Sequence, residues 1–200
     1  ASGTLDDADT RIFGDESYGF LGMDLTCVDI DGDGYDDLLV ADGHHYSEGN
    51  GDDWGLRQFN GAPAWSPELV PSEADATYTH DLMPTGSGTV FGMPLQIWDA
   101  DDDGTADHLV VSATNGDGAS TPENDAIWLV ALADLGTSGP LEGLATVSID
   151  LDEPGTLLAL TTAPDLDGDG AAELVIGQTA SDGSNTPGSL SFISGAPGVD

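Results

Sequence analysis

At 200 residues the chain is long enough for one or two ordinary domains with a real core. Its 38 acids face only Arg11 and Arg57, lysine is absent, and a formal net charge of −36 repels phosphate backbones and anionic lipid, which excludes nucleic acid and membrane surfaces as partners. No apolar run reaches the ~20 residues of a membrane span.

In chain order, the first segment with strand character is Ala8-Asp9-Thr10-Arg11-Ile12-Phe13-Gly14. Leu21, Met23, Leu25 and Cys27 then alternate along a strand with one buried face, which makes Cys27 a buried small hydrophobe. It is the only cysteine, so no intrachain disulfide forms. The acidic nonapeptide from Asp29 to Asp37 follows, then the apolar strand Leu38-Leu39-Val40-Ala41. A polar insertion with His44, His45 and Trp54 leads to a third strand, Leu56-Arg57-Gln58-Phe59, which exits through Gly61-Ala62-Pro63. A fourth strand spans Ala76 to Leu82.

The same order then repeats. Phe91, Met93, Leu95 and Ile97 alternate before the acidic stretch Asp99 to Asp107, with Leu109-Val110-Val111, Ile127 to Val130, and Ala145 to Leu151 behind it. A third pass runs through Leu157, Ala159, Thr161 and Ala163, the stretch Asp165 to Glu173, then Leu174-Val175-Ile176 and Leu190 to Ile193, which exits through Gly195-Ala196-Pro197. The acidic stretches begin 70 and 66 residues apart, and no helical periodicity interrupts them.

Tandem four-stranded antiparallel units of this length predict an all-β, β-propeller-like fold with three blades. The expected division of this single repeat domain is 1–19 for a closing strand and linker, 20–82 for blade one, 83–151 for blade two and 152–200 for blade three. Blade three lacks a fourth strand of its own, and the Ala8–Gly14 strand is placed to complete it, in cis or in trans. The expected partners are therefore a second copy, as a ring or a head-to-tail filament, or further blades of a longer chain.

Each acidic stretch carries carboxylates at positions 1, 3, 5 and 9 and glycine at position 6, the pattern a hard, oxygen-seeking cation requires. The predicted Ca²⁺ ligands are Asp29, Asp31, Asp33, the Tyr35 carbonyl and Asp37 in the first site. The second takes Asp99, Asp101, Asp103, the Thr105 carbonyl and Asp107, and the third Asp165, Asp167, Asp169, the Ala171 carbonyl and Glu173. An EF-hand would need an acid at position 12, where Val40, Val110 and Ile176 stand, and a helix where a strand follows. Three Ca²⁺ would leave a charge of about −30, so the remaining surface is acidic in its own right; that suits high ionic strength, or reflects a compositional habit.

Phe91-Gly92 and Leu21-Gly22 before the acidic loops, and Gly61-Ala62-Pro63 and Gly195-Ala196-Pro197 after the third strands, give the chain a resemblance to the FG-GAP (VCBS-like) repeat of integrin α-subunit propellers and bacterial surface proteins. Leu157-Leu158 replaces Phe-Gly in the third repeat, and the second lacks the Gly-Ala-Pro element. The resemblance implies an extracellular or cell-surface location and a non-catalytic role in adhesion or assembly, with a glycan or protein ligand. The alternatives are a carbohydrate-binding propeller using Trp54, Trp65, Trp98 or Trp128, or part of a polysaccharide-degrading enzyme. A lyase of that kind needs a base and cations for uronates, which two arginines and no lysine supply poorly. His80 and His108 are expected as strand residues.

Overall fold

The computed structural model describes residues 4, 8–14, 19–44, 55–79, 89–115, 126–150, 155–180 and 188–195. Residues 45–54, with His45 and Trp54, and His80 lie outside them. The strands in chain order are β1 (Arg11–Ile12), β2 (Gly19–Val28), β3 (Asp37–His44), β4 (Gly55–Phe59), β5 (Glu68–Leu69) and β6 (Ala76–Thr79). Then come β7 (Thr89–Trp98), β8 (His108–Asn115), β9 (Ala126–Ala131), β10 (Gly139–Pro140) and β11 (Ala145–Asp150), and finally β12 (Gly155–Ala163), β13 (Glu173–Ala180) and β14 (Ser189–Ser194). Among the described residues the only helical elements are short 3-10 turns, and the fold is all-β.

The strands form three main sheets that follow the repeat, none of them closed into a barrel. The first reads β10-β6-β4-β3-β2 across its width, the second β11-β9-β8-β7 and the third β12-β13-β14. Within each repeat the pairing is antiparallel, with the acidic stretch as the turn of the leading hairpin. Among the described residues the only parallel pairs are β10 with β6 and β1 with β5. The N-terminal strand therefore pairs with the first repeat and, among the described residues, not with the third sheet.

Two cores hold the sheets together. One joins Leu39, Ala41, Leu56 and Tyr78 of the first repeat to Leu95, Leu109, Val111 and Trp128 of the second. The other joins Trp98, Val110, Ile127 and Leu129 to Leu160, Leu174 and Ile176 of the third. The second sheet thus buries both faces, and so reads as near-continuous apolar runs in β8 and β9.

Hairpin register corrects part of the expected burial. Ile97 pairs with Leu109 and Leu95 with Val111, which turns both toward the first core. In the first hairpin the pairing differs by one residue, Cys27 with Leu38 and Leu25 with Val40. A one-residue slip moves a side chain to the other face of the sheet. Cys27 is accordingly exposed rather than buried, and Leu25 is 57% exposed. Burial of the sulfur's surroundings, then the Asp36 carboxylate, raises the Cys27 thiol above its ordinary value, so exposure does not make it a ready nucleophile. In β12 the buried residue is Leu160, while Ala159 and Thr161 are exposed.

Candidate metal centre

The three acidic loops share one hydrogen-bond plan, written by their aspartates. Position 1 accepts from the backbone N–H of position 6 in every loop: Gly34 to Asp29 (2.9 Å), Gly104 to Asp99 (2.7 Å) and Gly170 to Asp165 (3.0 Å). Position 3 accepts from position 5, and position 5 from position 7, as in Thr105 to Asp103 (2.7 Å) and Ala171 to Asp169 (2.9 Å). Position 9 reaches back across the hairpin and accepts from position 2: Ile30 to Asp37 (3.0 Å), Ala100 to Asp107 (2.8 Å) and Leu166 to Glu173 (2.8 Å). Such side-chain-to-backbone bonds are what short carboxylates offer a turn. The position-6 glycines hold φ of 91°, 91° and 93°, a left-handed region that penalises any side chain. Position 4 is left-handed too, as Gly32, Asp102 and Gly168, a requirement the sequence pattern does not advertise because Asp102 breaks it.

The loops differ in which carboxylates converge. Asp165, Asp167, Asp169 and Glu173 all bring an oxygen within 4.8 Å of one another, which is all four carboxylates predicted for the third site. Asp29, Asp31 and Asp33 converge in the first loop and Asp99, Asp101 and Asp107 in the second. Asp37 is held apart by its own partners: one oxygen accepts from Ile30 and the other from the Gly61 N–H at 2.7 Å. Asp103 stands outside its cluster although it accepts from position 7 just as Asp33 and Asp169 do. Tyr35, Thr105 and Ala171 occupy position 7 of the loops, Tyr35 exposed and Ala171 buried.

Crowding shows in the electrostatics. A hydrogen bond from the Asp103 N–H lowers the Asp101 carboxyl, yet desolvation and the charges of Asp103, Asp107 and Asp99 outweigh it and leave the group above its ordinary value. Asp169 goes the other way, held low first by the Ser194 hydroxyl and then by the Ala171 N–H. Glu173 is 3% exposed, and its Oε1 has no hydrogen-bond partner although Oε2 accepts from Leu166. A buried carboxylate with an unpartnered oxygen, clustered with three aspartates, is costly unless a cation joins them. The donor set of the third site therefore fits a hard divalent ion.

The third strands supply loop contacts that the sequence reading missed. The Ser194 hydroxyl donates to Asp169 Oδ2 at 2.7 Å, and Asn60 Nδ2 to Asp31 Oδ2 at 3.4 Å. Both residues stand directly before Gly-Ala-Pro, so the available signal was a polar residue preceding that element. The second repeat, which lacks the element, makes a backbone bond from Leu132 to the Asp107 carbonyl instead. Gly195 donates to the Ala172 carbonyl and lies so close to the Ala100 carbonyl that a Cβ there would overlap it. Gly195→Ala is expected to cost about 1–3 kcal/mol, read as a lower urea midpoint; a midpoint unchanged from wild type would show that the second and third loops do not depend on this approach.

Trp98 and Trp128 are buried, and the Trp65 Nε1–H donates to the Asn60 carbonyl at 3.1 Å. His108 begins β8, is 7% exposed and lies with its ring centroid 6.0 Å from that of Trp98. These rings serve packing. No family model, no curated protein and no solved structure matches the chain.

Proposed function

We propose that the chain is a Ca²⁺-stabilised, non-catalytic structural or adhesion module that works outside the cell, where millimolar Ca²⁺ suits loops of this kind. The observation that carries this is Glu173, buried with an unpartnered Oε1, on a side chain that brings an oxygen within 4.8 Å of Asp165, Asp167 and Asp169. When bound, the ion offsets the mutual repulsion of four carboxylates and fixes the hairpin that they line. Asp29, Asp31 and Asp33, and Asp99, Asp101 and Asp107, would hold ions in the other two loops, with Asp103 and, once it releases the Gly61 N–H, Asp37 completing those shells. Isothermal titration with Ca²⁺ tests the reading directly. Three sites are expected, the third loop's the tightest because its ligands already converge; absence of binding at millimolar Ca²⁺ overturns it.

On the same reading the three sheets are consecutive blades of a propeller-like array of the FG-GAP type. Support comes from the tandem order of the sheets, the burial of the second sheet between its neighbours, and the parallel β6–β10 pair that ties one repeat to the next. The carbohydrate-binding alternative finds less support, since the two tryptophans of the sheet cores are buried.

A further inference from the structure

The first sheet runs β10-β6-β4-β3-β2, with β6 antiparallel to β4 along one edge and parallel to β10 along the other. The N-terminal pair reproduces the outer part of this arrangement. β1 is parallel to β5, and β5, like β10, leads into a 3-10 turn (Pro71–Glu73; Leu141–Gly143) and then into the last strand of its repeat. The third sheet reproduces the inner part, β14-β13-β12. Setting β14 beside β1 gives β5-β1-β14-β13-β12, which matches the first sheet strand for strand.

The strand edges agree with that match. The Arg11 and Phe13 N–H groups donate to the Pro67 and Leu69 carbonyls, both at 2.9 Å, so strand alternation turns the Ile12 N–H toward the opposite edge. On the third sheet, β14 has no second partner strand among the described residues. Its outward face carries Leu190 and Phe192, 69% and 59% exposed, and Leu166 at the head of the third loop is 58% exposed. Of the seven large hydrophobics exposed among the described residues, six belong to the N-terminal segment, the first repeat or the third repeat, and Met93 lies in the second. Among the described residues the two half-sheets share no strand pairing and no core, since one core contains first and second repeats and the other second and third.

We infer that a second copy of this chain supplies the missing neighbour: β1 of one molecule pairs antiparallel with β14 of the next, with Leu190 and Phe192 covered in the joint. The partner is fixed by topology, because the strand that fits beside β14 is one this chain already carries in the right relation to β5. The contact is head-to-tail, so it closes into a ring if the rotation allows and otherwise extends as a filament. It rests on the reading of the chain as a structural module, since the third loop anchors β14 through Ser194 and Asp169.

Sedimentation velocity over a micromolar-to-millimolar protein series tests this, in millimolar Ca²⁺ with enough salt to screen the acidic surfaces. The full 200-residue chain is expected to sediment as a dimer or larger, and Ile12→Pro, which removes the outward N–H and spares the bonds to β5, should weaken association at least ~10-fold. Phe192→Asp, at an exposed position that folding does not need, should do the same. A wild-type chain that stays monomeric throughout overturns the proposal, and so does wild-type association by either variant. Calorimetric Ca²⁺ binding on the same samples separates the two ideas: a monomer that binds Ca²⁺ removes the docking and leaves the metal reading, whereas no Ca²⁺ binding removes the metal reading.

Discussion

Chelation with EDTA is expected to lower the melting temperature by ~5–10 °C for each site it empties. An ion present at about 100 times its dissociation constant adds roughly 2.7 kcal/mol per site, and a chain of this size shifts by about 2–4 °C per kcal/mol. The effect has a definite location. Emptying the third loop leaves four carboxylates with oxygens within 4.8 Å of one another, one of them on a side chain only 3% exposed. Excess Mg²⁺ should restore little, because it gives up its waters reluctantly and the loops offer ligands from a flexible turn. Calorimetric scans in Ca²⁺, in EDTA, and in EDTA with Mg²⁺ at fixed ionic strength make the measurement. Fixed ionic strength matters at a net charge of −36, where salt alone relieves self-repulsion. Identical melting in all three buffers would show that the loops stand without an ion.

Glu173→Gln should reverse its effect between those buffers. Glutamine has nearly the volume of glutamate, and its carbonyl can still accept the Leu166 N–H that Glu173 Oε2 accepts at 2.8 Å. Its amide replaces the unpartnered Oε1 with a donor, on a side chain clustered with three aspartates. In EDTA the variant is therefore expected to be more stable than wild type by on the order of 1–2 kcal/mol, the cost of an unmet buried polar group. In Ca²⁺ it loses an anionic ligand, and binding at the third site should fall by about 100-fold, equivalent to roughly 2.7 kcal/mol. The two unfolding curves then change order with the buffer. Destabilisation in both buffers would instead make Glu173 a packing and hydrogen-bonding residue, with the ion held elsewhere or not at all.

Much of the fold is legible because each repeat states it independently. The strands after the acidic stretches and the third strands appear where the apolar runs put them, and the acidic stretches form the hairpin turns, since alternating aspartates and glycines satisfy a turn's N–H groups whatever lies around them. Facing was less legible. Leu25 and Cys27 have the same alternation as Leu95 and Ile97, yet a register difference of one residue sends the first pair outward and the second inward. Register is decided by cross-strand and sheet-to-sheet packing, which a single strand's pattern does not contain. The site shows the same limit. Four carboxylates per loop are plain in the sequence, but the Gly61 N–H that draws Asp37 away from its neighbours comes 24 residues later in the chain. Asn60 and Ser194 were overlooked because a polar residue at a strand end usually signals only solvent.

The Ala172 N–H donates to the Ala100 carbonyl at 3.2 Å, which joins position 8 of the third loop to position 2 of the second. Ala100 is in turn tied to Asp107 through its own N–H. An ion that orders either loop thereby fixes a peptide of the other, and the second ion meets a loop that has already lost part of its freedom. Filling of these two loops should be positively cooperative. In a titration, Asp165→Asn in the third loop would then weaken binding at the second as well, while leaving the first loop's affinity where it was; equal affinities at the second loop before and after the substitution would mean that the bond carries shape but no communication.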